Sequence, residues 1–546
     1  MLILAFLVIL ILIFLLGRVV FIIMIRGKEY ERNARIVQER ERCVRASRGL
    51  IFDRNGVVLA SNRPVCTVSV IHNQIADEEQ TARFLSEELE LDYEKVLSLV
   101  QKKSSIEIIQ RNVAEEKGKE IMEANISGIK VDMEYKRYYP YGTLASKVLG
   151  FAGGDNQGIL GIEAKYDELL TGENGTIYTL TDGRGVDVEG LKKTLKAPIP
   201  GQDIHLTLDY EIQKVCHDMA ENAYIEHEAQ SVSIMAINPQ DGAVYAMVDY
   251  PEYDLNHPFS SLDNSPVDAN ILNAMWRNAC LNDTYEPGSI FKIITASIAL
   301  EEQLVDRKEN FSCGGSITVD GVKIHCHKTI GHGPETFETA LMNSCNPVFI
   351  QIGLRIGTEK FYSYMEKFGM FQKTGIDLAG EAGTIMHKKE NVHNVELATI
   401  SFGQSFQVTP IQMACTISSL INGGIRIRPH LLLDETKGEE GNRIISEETS
   451  KTMRELLHNV VAIGSGKNGK VEGYEVGGKT ATSQTLPRSA HKYIASFVCF
   501  YPVENPKILL LVIINDPKGA YYGGTIAAPL AAQIFEKVLP YLDKNG

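Results

Sequence analysis

Residues 1–25 are apolar apart from Gly17 and Arg18. As a helix, such a run is long enough to cross a hydrocarbon core, with Arg18 reaching toward one interface. It lacks a basic head, and no small-residue cleavage pattern precedes Arg26, so it reads as an uncleaved anchor rather than a leader peptide. Charge then replaces hydrophobicity over 29–45, which predicts a helical stalk. Short β-type runs at 57–60 and 65–71 predict strands, and the Glu- and Leu-rich stretch 78–103 predicts helix. A break at Ala197-Pro-Ile-Pro-Gly201 marks a boundary. Beyond it, 203–208 alternates and 209–224 has a helical pattern. The runs 230–237 and 243–248 flank a turn at 238–242 and predict a hairpin. Three more strands are expected at 476–484, 493–501 and 508–515, and a last helix at 527–542.

These elements predict an α+β chain of three parts. Residues 1–25 form a transmembrane anchor, 26–197 a stalk and elongated mixed pedestal without a catalytic cluster, and 198–546 a globular domain. That domain should hold a five-stranded antiparallel sheet flanked by helices. Its hairpin strands and its C-terminal strands are far apart in sequence, so the sheet must be closed by long-range pairing.

Composition narrows the function classes. With 55 basic and 69 acidic residues the formal charge is −14, which argues against nucleic acid as a partner. The nine cysteines show no dense disulfide pattern, and only Cys313 and Cys326 have a plausible loop between them. His325, Cys326, His327 and His332 invite a metal reading. Neighbours on an extended segment point to opposite faces, however, so these four are not expected to converge. Neither a metal nor a cofactor is expected.

The chemistry lies in three short motifs. Ser289 and Lys292 stand one helical turn apart in Tyr-Glu-Pro-Gly-Ser-Ile-Phe-Lys, on one face of a helix that should be buried, because Ile290, Phe291, Ile293, Ile294 and Ile298 surround them. An amine so placed can take the proton of the hydroxyl and make it a nucleophile. Ser344-Cys-Asn346 follows, and then a strand-like Gly-Gly-Lys479-Thr480-Ala481-Thr482. Two decoys share these patterns. Ser489-Ala-His-Lys492 lacks an apolar helical run, and the literal Lys373-Thr374-Gly375 sits in turn-rich sequence, so both are read as loops.

In order, spacing and context the chain resembles the class B penicillin-binding proteins, the membrane-anchored D,D-transpeptidases that cross-link peptidoglycan in division, elongation or sporulation. Serine β-lactamases share the Ser-x-x-Lys, Ser-x-Asn and Lys-Thr-Gly set. Further segments narrow the resemblance: Arg48-Gly-Leu-Ile-Phe-Asp53-Arg54-Asn55-Gly56, Tyr139-Pro-Tyr-Gly142, Gly158-Ile-Leu-Gly-Ile-Glu163, Gln404, Thr409-Pro410 and Asn422-Gly-Gly424. Asp53 and Arg54 are read as a structural turn.

The resemblance implies that Ser289 attacks a stem peptide ending in D-Ala-D-Ala and passes the acyl group to an amine on a second strand. Lys292 must be neutral to act as base, and Lys479 is the neighbouring cation that would keep it so. Ser344 would relay the proton, with either Lys292 or Ser344 open as its first acceptor, and Asn346 would hold a substrate amide. The backbone N–H groups of Ser289 and Thr482 would form the oxyanion hole. Lys479, Thr480 and Thr482 would receive the carboxylate, and substrate would lie along this strand beside Ala481, where the family has Gly. Stem peptides, β-lactams, the lipid around 1–25 and a separate membrane glycan polymerase are the implied partners. Basic residues from Arg26 onward would hold the bulk of the chain in the cytoplasm by the positive-inside rule. The wall substrate requires the catalytic domain outside, and that placement is preferred. Two other readings stay open: a membrane-anchored β-lactamase-like hydrolase, and a non-catalytic β-lactam sensor or scaffold.

Overall fold

Leucine, isoleucine and phenylalanine on every side make Leu2–Phe21 a helix with no polar face, and it continues through a π-helical turn at Ile22–Arg26. Phe6–Tyr30 is long and apolar enough to cross a membrane, with a mean hydropathy of 3.2 in its most apolar window, and none of that window is buried among the described residues. The computed structural model describes residues 2–30, 39–180, 193–260, 268–433 and 441–545. By contacts the chain divides into two compact units. The smaller takes in Met1–Leu50, Ser61–Tyr138 and Glu168–Gln202; the larger takes in Ile51–Ala60, Tyr139–Asp167 and Asp203–Gly546.

The smaller unit is built on Ser61–Val70 of the strand Val58–Val70, which pairs antiparallel with Glu107–Ala114 on one side and Ile129–Tyr138 on the other. Its core joins Cys66, Val68 and Val70 to Leu85, Val96 and Ile121. Two expectations are corrected here. The 78–103 stretch is two helices, Glu78–Glu88 and Tyr93–Val100, because Glu90 turns left-handed and Asp92 caps a new helix by accepting from Lys95 N. In the expected stalk, Glu39–Val44 is a strand paired antiparallel with Gly175–Leu180. Its charged sequence suits a helix, but a distant partner strand overrides that weak local preference. The stalk positions 31–38 lie outside the described residues.

In the larger unit the expected hairpin forms as β1 (Ser231–Ile237) and β2 (Val244–Tyr250), and the C-terminal strands as β3 (Gly477–Gln484), β4 (Tyr493–Tyr501) and β5 (Ile508–Asn515). They join in the order β2-β1-β5-β4-β3, antiparallel throughout, so β3 is an edge. Alternate residues of each strand face opposite sides. Val232, Ile234, Leu510, Val512 and Ile514 pack with the helices Tyr210–Glu226 and Ala527–Asn545. Leu509, Leu511 and Ile513 face away from that cluster and are themselves buried, so the sheet is covered on both sides.

The Asp53 segment is a structural clamp. Asp53 accepts from Asn55 N at 2.8 Å and Val57 N at 2.7 Å, and its second oxygen caps the helix Tyr210–Glu226 through Tyr210 N at 3.0 Å. Asn55 continues the tie to Asp209 and Tyr541. These bonds join the C-terminal helix, the Tyr210 helix and the Asp53 turn of the same unit.

Candidate active site

Ser289 opens no ordinary α-helix. Gly288–Phe291 is a 3-10 turn that runs into the buried helix Lys292–Glu301. The turn is held from below: Gly288 N donates to Gly403 O at 2.9 Å, and Gly403 has φ +87° with no room for a side chain, since a Cβ there would overlap Gly288 O. Glu286, buried just ahead of the turn, completes the brace. Its backbone carbonyl accepts from Ser483 Oγ at 2.8 Å, and its carboxylate accepts from Ser405 N at 3.0 Å and Arg488 at 2.7 Å. The turn, the 403–405 loop and β3 thus meet at one carboxyl-bearing residue.

Lys292 is fully buried, and its amine is the hub of the site. Nζ lies 3.2 Å from Ser289 Oγ, 3.2 Å from Ser344 Oγ, 2.7 Å from Ser344 O and 2.7 Å from Asn346 Oδ1. Ser344 can present both oxygens to one amine because it sits left-handed, at φ 55°, between the helices Phe337–Met342 and Asn346–Ile356. A non-glycine residue in that conformation is held by its surroundings; here Ser344 N and Cys345 N donate to Leu341 O and Ala340 O.

The edge strand β3 brings the third motif. Residues 479, 481 and 483 share one side of it, and Ser483 reaches Glu286 while Ala481 lies against the Gly288 turn. Lys479 is fully buried, and its amine donates to Thr480 O at 3.1 Å. Thr480 and Thr482 alternate to the other side. Thr482 Oγ1 accepts from Gly523 N at 2.9 Å, and Thr480 Oγ1 is 3.5 Å from Ser465 Oγ.

Two buried amines facing each other cannot both hold a proton easily. Burial lowers the Lys292 amine from its usual range to about 8. Burial, and then the charge of Lys292, holds Lys479 well below its ordinary value.

Above the two lysines opens a cavity of about 450 Å³ whose wall includes Ser289, Ser344, Asn346, Thr480, Ala481 and Thr482. Of the residues expected at the site, only Lys292 and Lys479 lie beneath the wall rather than in it. The cavity also meets residues that sequence reasoning did not single out, Ser465 and the aromatic pair Tyr521-Tyr522, and His327, which the sequence offered only as a metal candidate. Tyr521 stacks on Tyr493 at 4.1 Å between centroids, making an aromatic wall. Tyr-Tyr-Gly-Gly after the last strand was the available signal. A larger cavity of about 740 Å³ around Lys147 and Asp249 contains none of the motif residues. Ser489–Lys492 starts within the short 3-10 turn Arg488–Ala490, which His491 ends at φ 51°, and Lys373-Thr374-Gly375 is irregular, with the N–H groups of 374 and 375 bonded to Glu381, so both decoys are loops.

Of the four residues weighed for a metal, His325 and His327 are not part of the cluster that forms, so the four do not all converge. His332 and Cys326 do meet, together with Cys313 and Cys345, because their segments are brought together by the fold rather than by neighbouring positions on one strand. All nine cysteines are free thiols, so Cys313 and Cys326 are not joined.

Residues 232–536 match the family described as "Penicillin binding protein transpeptidase domain", and 43–206 match "Penicillin-binding Protein dimerisation domain". The chain is 40% identical over 514 residues to Stage V sporulation protein D of Bacillus subtilis, covering 91% of this chain and 78% of that protein. It is 28% identical to the peptidoglycan D,D-transpeptidase FtsI of Escherichia coli K12 over 539 residues, covering 96% and 89% respectively. In fold it is similar to penicillin-binding protein 2X of Streptococcus thermophilus, with a TM-score of 0.75 at 21% identity over 92% of this chain and 80% of that one.

Proposed function

This chain belongs to the penicillin-binding protein transpeptidases, and we propose that it cross-links peptidoglycan stem peptides through an acyl-enzyme on Ser289. The observation that carries the reading is the Lys292 amine, bonded at once to Ser289, Ser344 and Asn346 in a buried setting that lowers its proton affinity. A neutral Lys292 takes the proton of Ser289 as Oγ attacks the carbonyl of the penultimate D-Ala. The proton passes through Ser344 to the leaving D-Ala amine, and the acyl group then goes to an amine of a second strand.

The tetrahedral oxyanion would be held by the N–H groups of Ser289 and Thr482, each such donor contributing roughly 3 kcal/mol to barrier lowering. Asn346 would bind a substrate amide, and substrate would add to β3, the edge strand of the sheet. Thr480 and Thr482 offer hydroxyls to the terminal carboxylate from the cavity wall, with Lys479 acting as a charge behind them. The arriving carboxylate favours a proton on Lys479, and that charge in turn keeps Lys292 neutral.

The cavity supplies no carboxylate for the hydrolase reading. Among the described residues, its wall carries no aspartate or glutamate that could activate water against the acyl-enzyme. β-Lactams, as acylating mimics of the donor, would form long-lived adducts. The apolar helix fits a single-pass membrane anchor. The catalytic unit would then lie on the outer side with its wall substrate, lipid around 1–25, and a separate glycan polymerase would supply the strands.

The test is mass spectrometry of the penicillin-treated chain together with transfer of a D-Ala-D-Ala donor to an amine acceptor. The adduct should map to the Ser289 peptide, and Ser289→Ala should abolish both adduct and transfer. An adduct on another peptide, or rapid release of hydrolysed penicillin, would overturn the reading.

A further inference from the structure

Between helix Phe337–Met342 and helix Asn346–Ile356, the residue that separates Ser344 from Asn346 is Cys345, and its thiol faces away from the cavity into a cluster. Cys313 ends the strand Asn310–Cys313, Cys326 follows the strand Val322–His325, and His332 precedes the strand Gly333–Thr336. Each offers one ligand atom, and with Cys345 Sγ all four atoms lie within 4.8 Å of one another. On an ideal tetrahedron with 2.3 Å metal–sulfur bonds the ligand atoms would be about 3.8 Å apart. Cys326 Sγ to His332 Nδ1 is already 3.6 Å.

The surroundings suit a bound cation as well. Cys313, Cys326 and Cys345 are each 2% exposed or less. Glu335 is buried beside them with Oε1 lacking a hydrogen-bond partner, 3.9 Å from His332 Nδ1. The segment that carries three of the four residues is made of two ladders of four-residue strands. Val319 joins a buried apolar cluster with Ile350, Ala398 and Phe402, against which Ile317 and Ile324 pack. Strands this short gain from a metal or a disulfide staple, and these thiols are free.

We propose that Cys313, Cys326, His332 and Cys345 bind one Zn²⁺, which ties the 310–336 segment to the loop that presents Ser344 and Asn346 to Lys292. Three thiolates and an imidazole in a closed tetrahedral set select zinc over harder cations. Binding releases the three thiol protons to solvent, while His332 donates a ring lone pair. No position is left open, so the ion is structural. Its position in the chain makes it a support of the active site: Cys345 is covalently between the two residues that share the Lys292 amine.

The experiment is elemental analysis of the full chain, purified in detergent with a reductant and without chelator. About one zinc per chain is expected. Cys313→Ser and His332→Ala should each lose most of it, whereas Cys216→Ala, in a buried position outside the cluster, should keep it. Because a variant can lose zinc by misfolding, cobalt is loaded into the unmutated chain in parallel. Thiolate-to-cobalt charge-transfer absorption with tetrahedral d–d bands supports the site. A chain that stays zinc-free on zinc addition with its thiols reactive, a disulfide among these cysteines, or full zinc in both variants would overturn it. Removing zinc with a chelator should slow penicillin acylation about tenfold or more, reversibly on zinc addition; bound zinc without this effect would refute the hold on the Ser344 loop. Ser289→Ala should leave zinc content unchanged, so a failure of the metal site and a failure of the serine chemistry are read separately.

Discussion

The amine of Lys292 stands 3.2 Å from the hydroxyl of Ser289, one residue opening the α-helix and the other sitting in the 3-10 turn just before it. If that nitrogen takes the serine proton, Lys292→Met should slow penicillin acylation by about 10²–10⁴-fold. Lys292→Arg should not restore it, because a guanidinium stays protonated. Stopped-flow labelling with a fluorescent penicillin measures both, and near-normal rates in either variant would assign the base elsewhere.

Acylation should also depend on pH in a defined direction. Burial penalises the Lys292 ammonium and brings its pKa down to about 8, so the neutral amine is the minor form below that pH and the major form above it. The rate should climb about tenfold per pH unit below the midpoint and level off above it. A profile flat from about pH 6 to 9 would contradict Lys292 as base.

Gly403 tests how closely the turn is braced. Its φ is +87° and a Cβ would overlap Gly288 O, whereas Gly473, at φ +81°, has open space around it. Gly403→Ala should cost about 1–3 kcal/mol, lower Tm and slow acylation by moving the turn that carries Ser289. Gly473→Ala meets only the backbone term, so its labelling rate should stay normal. Equal effects in the two variants would mean that the overlap is relieved without moving the turn.

Ala481 stands at the third motif position with only 3% of its surface exposed, in the wall of the cavity. Ala481→Gly removes one methyl group, worth roughly 1–3 kcal/mol of discrimination in a tight pocket. Acylation by bulky cephalosporins should therefore rise about tenfold relative to benzylpenicillin. Paired second-order rate constants check this, and an unchanged ratio would show that the methyl does not limit access.

Much of the sheet was legible because its strands are short, strongly apolar and bounded by turn residues. The periodicity of 231–250 and 493–515 has no helical alternative of comparable burial. The Ser289 turn was legible for a related reason: Pro287-Gly288 ahead of a run of buried apolar residues announces a helix start. Glu39–Val44 was not legible, since a charged segment becomes a strand only when a partner 131 or more positions away supplies its ladder. Glu286 was passed over because a lone glutamate before a turn has no pattern. Its role exists only once Ser405, Ser483 and Arg488 arrive from elsewhere.

The linear order of residues determined the chemistry on offer: a hydroxyl with an amine one turn away, an apolar span at the start, and edge-strand residues able to accept an extended peptide. Those follow from local periodicity and side-chain type alone. Tertiary structure decided which groups meet. It placed the Ser344 oxygens and Asn346 on the Lys292 amine, buried both lysines so that their protons compete, and gathered Cys313, Cys326, His332 and Cys345 into one cluster. Such meetings depend on loop closures and burial that no short window of sequence contains.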